Sequence, residues 1–402
     1  MEILYLTAVF LVIVAIIWAR RPLYLAMAGG ILAAILLFKI PFMEALTIIG
    51  KQTIAGDTID VLMSFYLIIF LQFMLEKRGR LECAKDAFNS LLQNRRVNTM
   101  IAPAIMGLLP SAAVMTVCAD MVDKTCGNYM DVKSKTFVSC YYRHIPEMFL
   151  PTYPVVLMAL TISGQNAGVF VISMIPLVFM AFMVVYFTYL RKLPKEMPES
   201  GEKSDRGKEI LKLIKNLWTL IAVLLIIVVF NVSVCMAAPL VIVADLIIDR
   251  FQPEEIPDLI IQSAEPVLLG NMYLIMLFKA ILSHTGVLGL LPAFFGQFPI
   301  PLPLVFVLLF FFGTVISGSQ TMIALCLPMA LAAFPEGGIP LLTMLMGVAW
   351  AAMQISPTHV CAFVAADYYH TTIGDIAVKG LPSIILFTAV CYGYGMFLGK
   401  IF

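Results

Sequence analysis

Charged residues are scarce in this sequence. Of its 402 residues only 13% are Asp, Glu, Lys or Arg, whereas 61% are hydrophobic. This is more apolar surface than a soluble domain of ordinary size can bury, so a soluble enzyme is excluded. The 26 basic residues nearly balance the 25 acidic ones, and this balance gives no reason to expect binding to nucleic acid.

Paired cysteines and enzyme signatures are also missing. The eight cysteines are scattered, mostly inside apolar segments, with no CxxC pair and no spacing typical of a zinc site. They are therefore predicted to be small buried hydrophobic side chains. The motifs HExxH, GxSxG and GxGD do not occur, so we expect neither enzymatic activity nor a cofactor.

Long apolar blocks are what the sequence has in abundance. Each contains roughly 16 to 27 residues, close to the length of helix that crosses about 30 Å of hydrocarbon. The chain is therefore predicted to be an all-α polytopic membrane protein, inserted in the lipid bilayer. The predicted full spans are 3–19, 23–38, 59–75, 136–162, 167–190, 216–233, 235–250, 265–284, 339–366 and 380–399.

Two further apolar blocks, 98–128 and 301–334, are interrupted near their middles by turn-forming or small polar residues. Each is predicted to be a re-entrant helical hairpin that enters and leaves on one side of the membrane. With the N-terminus outside and both hairpins re-entrant, the basic residues outside are Lys39, Lys51 and Lys400 alone, and 21 face the cytoplasm. This strong bias supports the predicted topology.

The centre of the chain, 191–215, is predicted to be a charged cytoplasmic linker, because it holds 13 of the 51 charged residues. The halves on either side, 1–190 and 216–402, show weak self-similarity. A shift of 207 residues places 65–88 over 272–295 with seven identities, and it also aligns the two hairpin interruptions. Each half has five transmembrane helices and one hairpin, so the second half is predicted to lie inverted relative to the first, as in secondary transporters.

Candidate functional residues lie at four breaks in the predicted helices, two in each half. Broken helices are tolerated in hydrocarbon only where protein, water or a ligand satisfies the freed backbone groups. Two breaks are the hairpin tips, and the other two are proline-interrupted spans that read SCYYRHIPEMFLPTYPVV and AAMQISPTHVCAFVAADYY. The candidate substrate- and ion-binding residues are Pro110, Ser111, Arg143, His144, Glu147, Thr152, Ser317, Gly318, Ser319, Gln320, Thr321, Ser356, Pro357, Thr358 and His359.

The residue types at the breaks suit a small anion carried together with a cation. Half-helix N-termini attract anions, whereas freed carbonyls and hydroxyls suit Na⁺. Ser317, Ser319 and Thr321 are candidate ligands of a carboxylate or of Na⁺, although Ser and Thr at such positions also serve as simple helix caps. Arg143 either neutralises a substrate carboxylate or pairs with Glu147, one helical turn on.

Two histidines at the breaks have more than one interpretation. His144 and His359 can take part in proton coupling, or they can simply hydrogen-bond the freed backbone. The spacing His144-x-x-Glu147 also places two metal-ligand types on one helix face. Pro146 lies between them and no third ligand is evident, so no metal site is predicted.

The chain resembles a known superfamily in several segments. The second hairpin, GTVISGSQTMIALCLPM, and the segments GLLPSAAVM and ISPTHV are similar to the ion transporter superfamily, which includes divalent anion/sodium symporters and gluconate permeases. The closest resemblance is to an uncharacterised prokaryotic family of integral membrane proteins of roughly 400 residues, related to the gluconate permeases. The resemblance implies a homodimer, with a scaffold domain at the dimer interface and a transport domain that moves like an elevator.

Sodium-coupled members of the superfamily carry a Ser-Asn-Thr motif at each hairpin tip. By position these motifs fall on 317–321 and near 110–112, but here the second tip has no Asn and the first has Pro-Ser-Ala. This difference favours proton coupling, through His144, Glu147 or His359, over sodium coupling.

The sequence therefore predicts a secondary active transporter of a small organic anion, a carboxylate, coupled to H⁺ or Na⁺. It is expected as a multi-pass protein in the inner membrane of a prokaryote. The alternatives are a membrane-embedded enzyme and a structural or regulatory membrane protein without transport activity.

Overall fold

The chain is helical throughout the part that the computed structural model describes, which comprises residues 1–19, 21–80, 83–84, 87, 94–108, 114–196 and 206–401. No β-strand occurs in these residues. Helices of the first half are α1 (Glu2–Trp18), α2 (Leu23–Leu37), α3 (Phe42–Thr53), α4 (Gly56–Lys77), α5 (Arg95–Met106), α6 (Val114–Cys126), α7 (Val132–Arg143), α8 (Pro154–Ser163) and α9 (Ala167–Thr188). Helices of the second half are α10 (Arg206–Phe230), α11 (Val234–Ile248), α12 (Ile256–Ser263), α13 (Pro266–Thr285), α14 (Leu291–Phe295), α15 (Leu302–Ser317), α16 (Ser319–Ala333), α17 (Gly338–Met353), α18 (Val360–Tyr368) and α19 (Ile373–Leu398).

Helical segments lie in every predicted apolar block, but some boundaries differ. Helix α10 begins at Arg206, inside the range 191–215 that was predicted as a linker, because apolar residues in KEILKLIK continue the helical period into the charged segment. Helix α19 begins at Ile373, seven residues before the predicted span. There Thr372 caps the helix and Asp375 completes a capping box.

Three short helices, α3, α12 and α14, lie outside the predicted spans. They contain 12, 8 and 5 residues, whereas a helix that spans a membrane needs about 20 apolar residues, so their sequences do not resemble spans. Helix α3 packs along α13, and α12 packs along α4. Helices α3 and α12 therefore pack on the sides of long spans, and none of the three is long enough to cross about 30 Å of hydrocarbon as a helix.

The helices have the lengths and surfaces of a membrane protein. Among the described residues, six helical segments are long and apolar enough to cross a membrane, and shorter apolar helices of 10–17 residues accompany them. Large apolar side chains such as Leu11, Ile172, Leu225 and Ile385 are more than half exposed on the outer surface. Water disfavours such a surface, whereas lipid chains accept it.

Helices of the two halves pack against each other in two groups. In one group α2 contacts α13, and α4 contacts α11, α12 and α13. In the other group α8 contacts α16, α6 contacts α18, α7 contacts α19, and α9 contacts α17. The second group contains both proline-interrupted spans and both helix pairs that were predicted as hairpins, so the candidate residues lie within it.

Candidate functional site

The first break in a spanning segment lies between α7 and α8. After α7 ends at Arg143, a 3-10 turn (Ile145–Met148) and an irregular stretch precede α8. Pro146 lies in this turn, and its missing N–H prevents a regular helix from continuing. The carbonyl of His144 accepts a hydrogen bond of 3.1 Å from the backbone N–H of Glu147, within the turn, and a second one of 2.6 Å from Nε1 of Trp350. A side chain of α17 thus satisfies a backbone group of the first half.

The second break lies between α17 and α18, and Pro357 lies within it. The buried hydroxyl of Ser356 donates a hydrogen bond of 2.9 Å to the carbonyl of Val315, on α15. The same hydroxyl accepts a hydrogen bond of 3.2 Å from the backbone N–H of Thr358. Ser356 therefore ties the break to the second helix pair, α15 and α16.

A pair of histidines joins the two breaks. The Nε2 atoms of His144 and His359 are 2.9 Å apart, although 215 residues separate the two histidines in the sequence. His144 is completely buried, whereas His359 is partly exposed. Nδ1 of His144 lies 2.5 Å from the carbonyl oxygen of Cys140. Because a carbonyl only accepts hydrogen bonds, Nδ1 carries the hydrogen, and a neutral His144 directs its Nε2 lone pair toward His359.

An ion pair lies beside the histidines. Arg143 contacts Oε1 of Glu147 at 2.7 Å, and the same oxygen lies 3.8 Å from Nε2 of His144. The Arg143 side chain is 2% exposed, and the Glu147 side chain is 20% exposed. A buried cation is stable only with a nearby negative charge. Glu147 supplies this negative charge for Arg143.

Glu147 faces a narrow cleft that Ser319, Tyr153 and Met353 also line. The cleft has a free volume of about 20 Å³, room for a single water molecule. Ser319 is buried at the first position of α16, and its hydroxyl donates to the sulfur of Met353 at 3.3 Å. The N-terminus of α16 and the Arg143–Glu147 pair therefore border the same small space.

The junction of α15 and α16 is a glycine in a left-handed conformation. Gly318 has φ +85°, and a Cβ on it would lie 3.3 Å from Oγ1 of Thr358. The hydroxyl of Ser317 donates to the carbonyl of Gly313 at 2.8 Å and lines an apolar groove beside α1. Ser317 and Ser319 thus face different surfaces of this junction.

The end of α5 touches the first break directly. A Cβ on Gly107 would overlap the carbonyl oxygen of Arg143, so the two backbones are in contact. The hydroxyl of Tyr153 donates a hydrogen bond to the carbonyl of Gly107. The predicted site residues Pro110 and Ser111 follow this point and lie outside the described residues.

The structure brings most of the described candidate residues together. Four form one cluster: Arg143, His144, Glu147 and His359. Those next to it are Gly318, Ser319, Ser356 and Thr358. Of the others, Thr152 and Thr321 are buried, Pro357 is exposed, and Nε2 of Gln320 is buried without a hydrogen-bond partner.

Several residues that contact the cluster were not singled out from the sequence. They are Gly107, Cys140, Tyr153, Trp350 and Met353. A signal existed for Cys140, because it precedes His144 by four residues and this spacing puts both on one helix face. The others contact the site through the tertiary fold, and no local spacing indicates them.

Comparison with known proteins identifies a family but no characterised relative. No curated protein matches the chain. A family profile described as "Protein of unknown function (DUF401)" matches residues 3–395, which is nearly the whole chain. The chain therefore belongs to the DUF401 family.

Proposed function

We propose that the protein is a secondary active transporter of a small organic anion, a carboxylate, driven by H⁺ or Na⁺. The observation that carries the proposal is the cluster of Arg143, His144, Glu147 and His359, where two broken helices from different halves of the chain meet. Ionisable groups at membrane depth are costly and are found mainly where they serve an ion or a substrate. The broken helices supply the backbone groups that such a site needs.

A carboxylate suits this site because of Arg143. A guanidinium binds a carboxylate through two parallel hydrogen bonds, and Glu147 already supplies one such group at 2.7 Å. A substrate carboxylate that enters the cleft exchanges with Glu147 as the partner of Arg143. The N-terminus of the 15-residue helix α16, at Ser319, borders the same cleft and also favours an anion.

The small volume of the cleft indicates a closed conformation of such a transporter. A free volume of about 20 Å³ holds one water molecule but no organic anion. Substrate entry therefore needs a movement of α15 and α16 away from the broken helices. Once the substrate is bound and the cleft has closed again, these helices and the broken helices move together as one transport domain past the first group of helices, in an elevator motion.

The proposal includes an inverted repeat, in which each half has five crossings and one re-entrant hairpin. Helix contacts support it, because α2 packs on α13 while the corresponding α11 packs on α4. Two hydrogen bonds also correspond. Thr53 bonds the hydroxyl of Tyr273 at 2.7 Å, and the hydroxyl of Tyr66 donates to the carbonyl of Ile260 at 3.3 Å. A shift of 207 residues places Thr53 over Ile260 and Tyr66 over Tyr273. The two hydrogen bonds therefore join equivalent positions of the two halves.

Left-handed residues recur at corresponding places in the two halves. Lys39 (φ 54°) and Arg250 (φ 49°) follow α2 and α11, and they are 211 residues apart. Gly79 (φ 60°) and Gly286 (φ 68°) follow α4 and α13, and they are 207 residues apart. The two shifts differ by four residues, which is also the difference in length between α3 and α12. This agreement supports a common origin of both halves.

We also propose that the N-terminus is outside and that the chain forms a homodimer in the inner membrane of a prokaryote. Two ion pairs support the topology, because each joins segments predicted on the cytoplasmic side. Arg78 contacts Glu255 at 2.8 Å and lowers the pKa of that carboxyl to about 2 through a charged hydrogen bond. Lys379 contacts Asp131 at 3.2 Å.

Ligand-dependent thermal stabilisation tests the anion site. We expect one class among mono-, di- and sugar carboxylates to raise the melting temperature of the purified protein, because a ligand that binds only the folded state stabilises it. Repeating the measurement with and without Na⁺, and at two pH values, separates Na⁺ coupling from H⁺ coupling. If no anion changes the melting temperature under any of these conditions, the carboxylate proposal is wrong.

Variants locate the site of stabilisation. Arg143→Gln leaves Glu147 without its partner, so the double variant Arg143→Gln/Glu147→Gln is the fairer test of the fold. Both are expected to fold and to lose the anion-dependent shift. Arg78→Gln removes an arginine from the surface ion pair with Glu255 and serves as the matched control. If an anion raises the melting temperature equally in the wild type and in the double variant, Arg143 does not bind the anion.

A further inference from the structure

We propose that Cys140, His144 and His359 bind a divalent transition-metal ion of the Zn²⁺ class, at a site that joins the two halves of the chain. One ligand atom from each of the three side chains lies within 4.8 Å of the other two. Thiolate and imidazole are the donors that Zn²⁺ prefers. The inference goes beyond transport, because it concerns a second ligand of different chemistry.

The backbone presents the three side chains in a way that suits an ion. Cys140 and His144 are separated by four residues at the end of α7, so their side chains lie one above the other on one helix face. His359 approaches from the last residue before α18. One element thus supplies two ligands, and a segment distant in sequence supplies the third.

The distance between the histidines is close to what an ion requires. Their Nε2 atoms are 2.9 Å apart. With Zn–N bonds of about 2.0–2.1 Å at a tetrahedral angle, the two nitrogens would be about 3.3 Å apart. A separation larger by about 0.4 Å would therefore suit the ion. The sulfur of Cys140 lies 3.7 Å from Nδ1 of His144, so this side chain turns toward Nε2 when it binds the same ion.

The surroundings of His144 already orient it as a ligand. Its Nδ1 donates a hydrogen bond of 2.5 Å to the carbonyl of Cys140. Metal-binding histidines usually make this kind of bond with the nitrogen that does not touch the metal, and it leaves the other nitrogen unprotonated. In His144 that other nitrogen is Nε2, the atom that faces His359.

Charge and access also suit a divalent ion. A bound ion holds Cys140 as a thiolate, which offsets one of its charges. The carboxylate of Glu147 lies 3.8 Å from Nε2 of His144 and offsets the charge of Arg143 beside the site. Cys140 and His144 are buried, whereas His359 is partly exposed and provides the entry path.

Zinc binding to the purified full-length protein in detergent tests the proposal. After removal of adventitious metal, titration with Zn²⁺ is expected to show one tight site per chain and to raise the melting temperature. Cys140→Ala and His359→Gln are each expected to weaken Zn²⁺ binding by about 100-fold or more, because even supporting groups around a metal contribute about 10- to 100-fold.

The chain offers matched controls for both ligand types. Its other two histidines, His284 and His370, lie outside the cluster, so His284→Gln and His370→Asn should keep wild-type affinity for Zn²⁺. Cys391 is a buried cysteine outside the cluster. Cys391→Ala should keep the ultraviolet absorption of a Cd²⁺–thiolate bond, which Cys140→Ala should lose.

The outcomes decide the proposal separately from the question of transport, since no readout needs a substrate. Melting curves without metal show which variants are folded. If His359→Gln does not fold, Cys140→Ala and the Cd²⁺ absorption of the wild type still decide. Zinc affinity that is unchanged in folded Cys140→Ala, or a wild type with neither a tight Zn²⁺ site nor Cd²⁺–thiolate absorption, would overturn the assignment.

Discussion

Gly107 shows how a single residue without a side chain connects two elements of the site. Its φ of −64° is an ordinary helical value, so any residue could adopt this conformation. A side chain is excluded by lack of space, because the carbonyl oxygen of Arg143 occupies the position of a Cβ. The hydroxyl of Tyr153 bonds the carbonyl of Gly107 from the other side of the break. The end of α5 is therefore fastened to both sides of the break between α7 and α8.

Replacing Gly107 with alanine is expected to destabilise the protein. The new methyl group would overlap the carbonyl oxygen of Arg143, so the backbone must move. Overpacking of this kind costs about 1–3 kcal/mol or more, measurable as a lower midpoint of thermal or denaturant unfolding. Gly270→Ala is the control, since it lies inside α13 with no atom within 4 Å of the added Cβ. Equal midpoints for the two variants would contradict the contact at Gly107.

The broken helices illustrate which parts of an element its sequence predicts. Pro146 and Pro357 indicate the positions of both breaks, because proline cannot donate the hydrogen bond of a regular helix. The additional hydrogen bond from Trp350 to the carbonyl of His144 could not be predicted in the same way. Trp350 is 206 residues away and lies in α17. Local composition thus indicates where a helix breaks, but only the tertiary fold determines which side chains bond to the backbone there.

Trp350→Phe tests whether this hydrogen bond stabilises the first break. Phenylalanine keeps an aromatic ring between Tyr141 and Phe387 but cannot donate to the carbonyl of His144. The carbonyl keeps its bond from the N–H of Glu147, so the variant loses one hydrogen bond, about 0.5–1.5 kcal/mol, and should unfold at a correspondingly lower denaturant concentration or temperature. Trp18→Phe, at a position 69% exposed, should change stability much less. If Trp350→Phe and Trp18→Phe lower the unfolding midpoint equally, the hydrogen bond from Trp350 to His144 does not stabilise the break.

At the scale of the whole molecule, the apolar blocks predict the long helices because their length is set by the membrane. Helix α3 was missed since it is short and mixes polar with apolar residues. The candidate site was predicted in part. The types and positions of His144 and His359 were predicted, but not their direct contact, which depends on how the two halves pack. The four-residue spacing of Cys140 and His144 indicates that they share a helix face, but not that His359 lies beside them.

The inverted relation of the two halves makes a prediction that no single helix makes. Lys39 and Arg250 are both exposed, and they follow the corresponding helices α2 and α11 in the same left-handed conformation. If the halves are inverted, these two residues must lie on opposite sides of the membrane. In a Cys83→Ser background, which removes an exposed cysteine, Lys39→Cys should react with an impermeant maleimide from outside and Arg250→Cys only in inside-out vesicles. Labelling of both from one side would exclude the inverted repeat, and with it the basis for alternating access by exchange between two related halves.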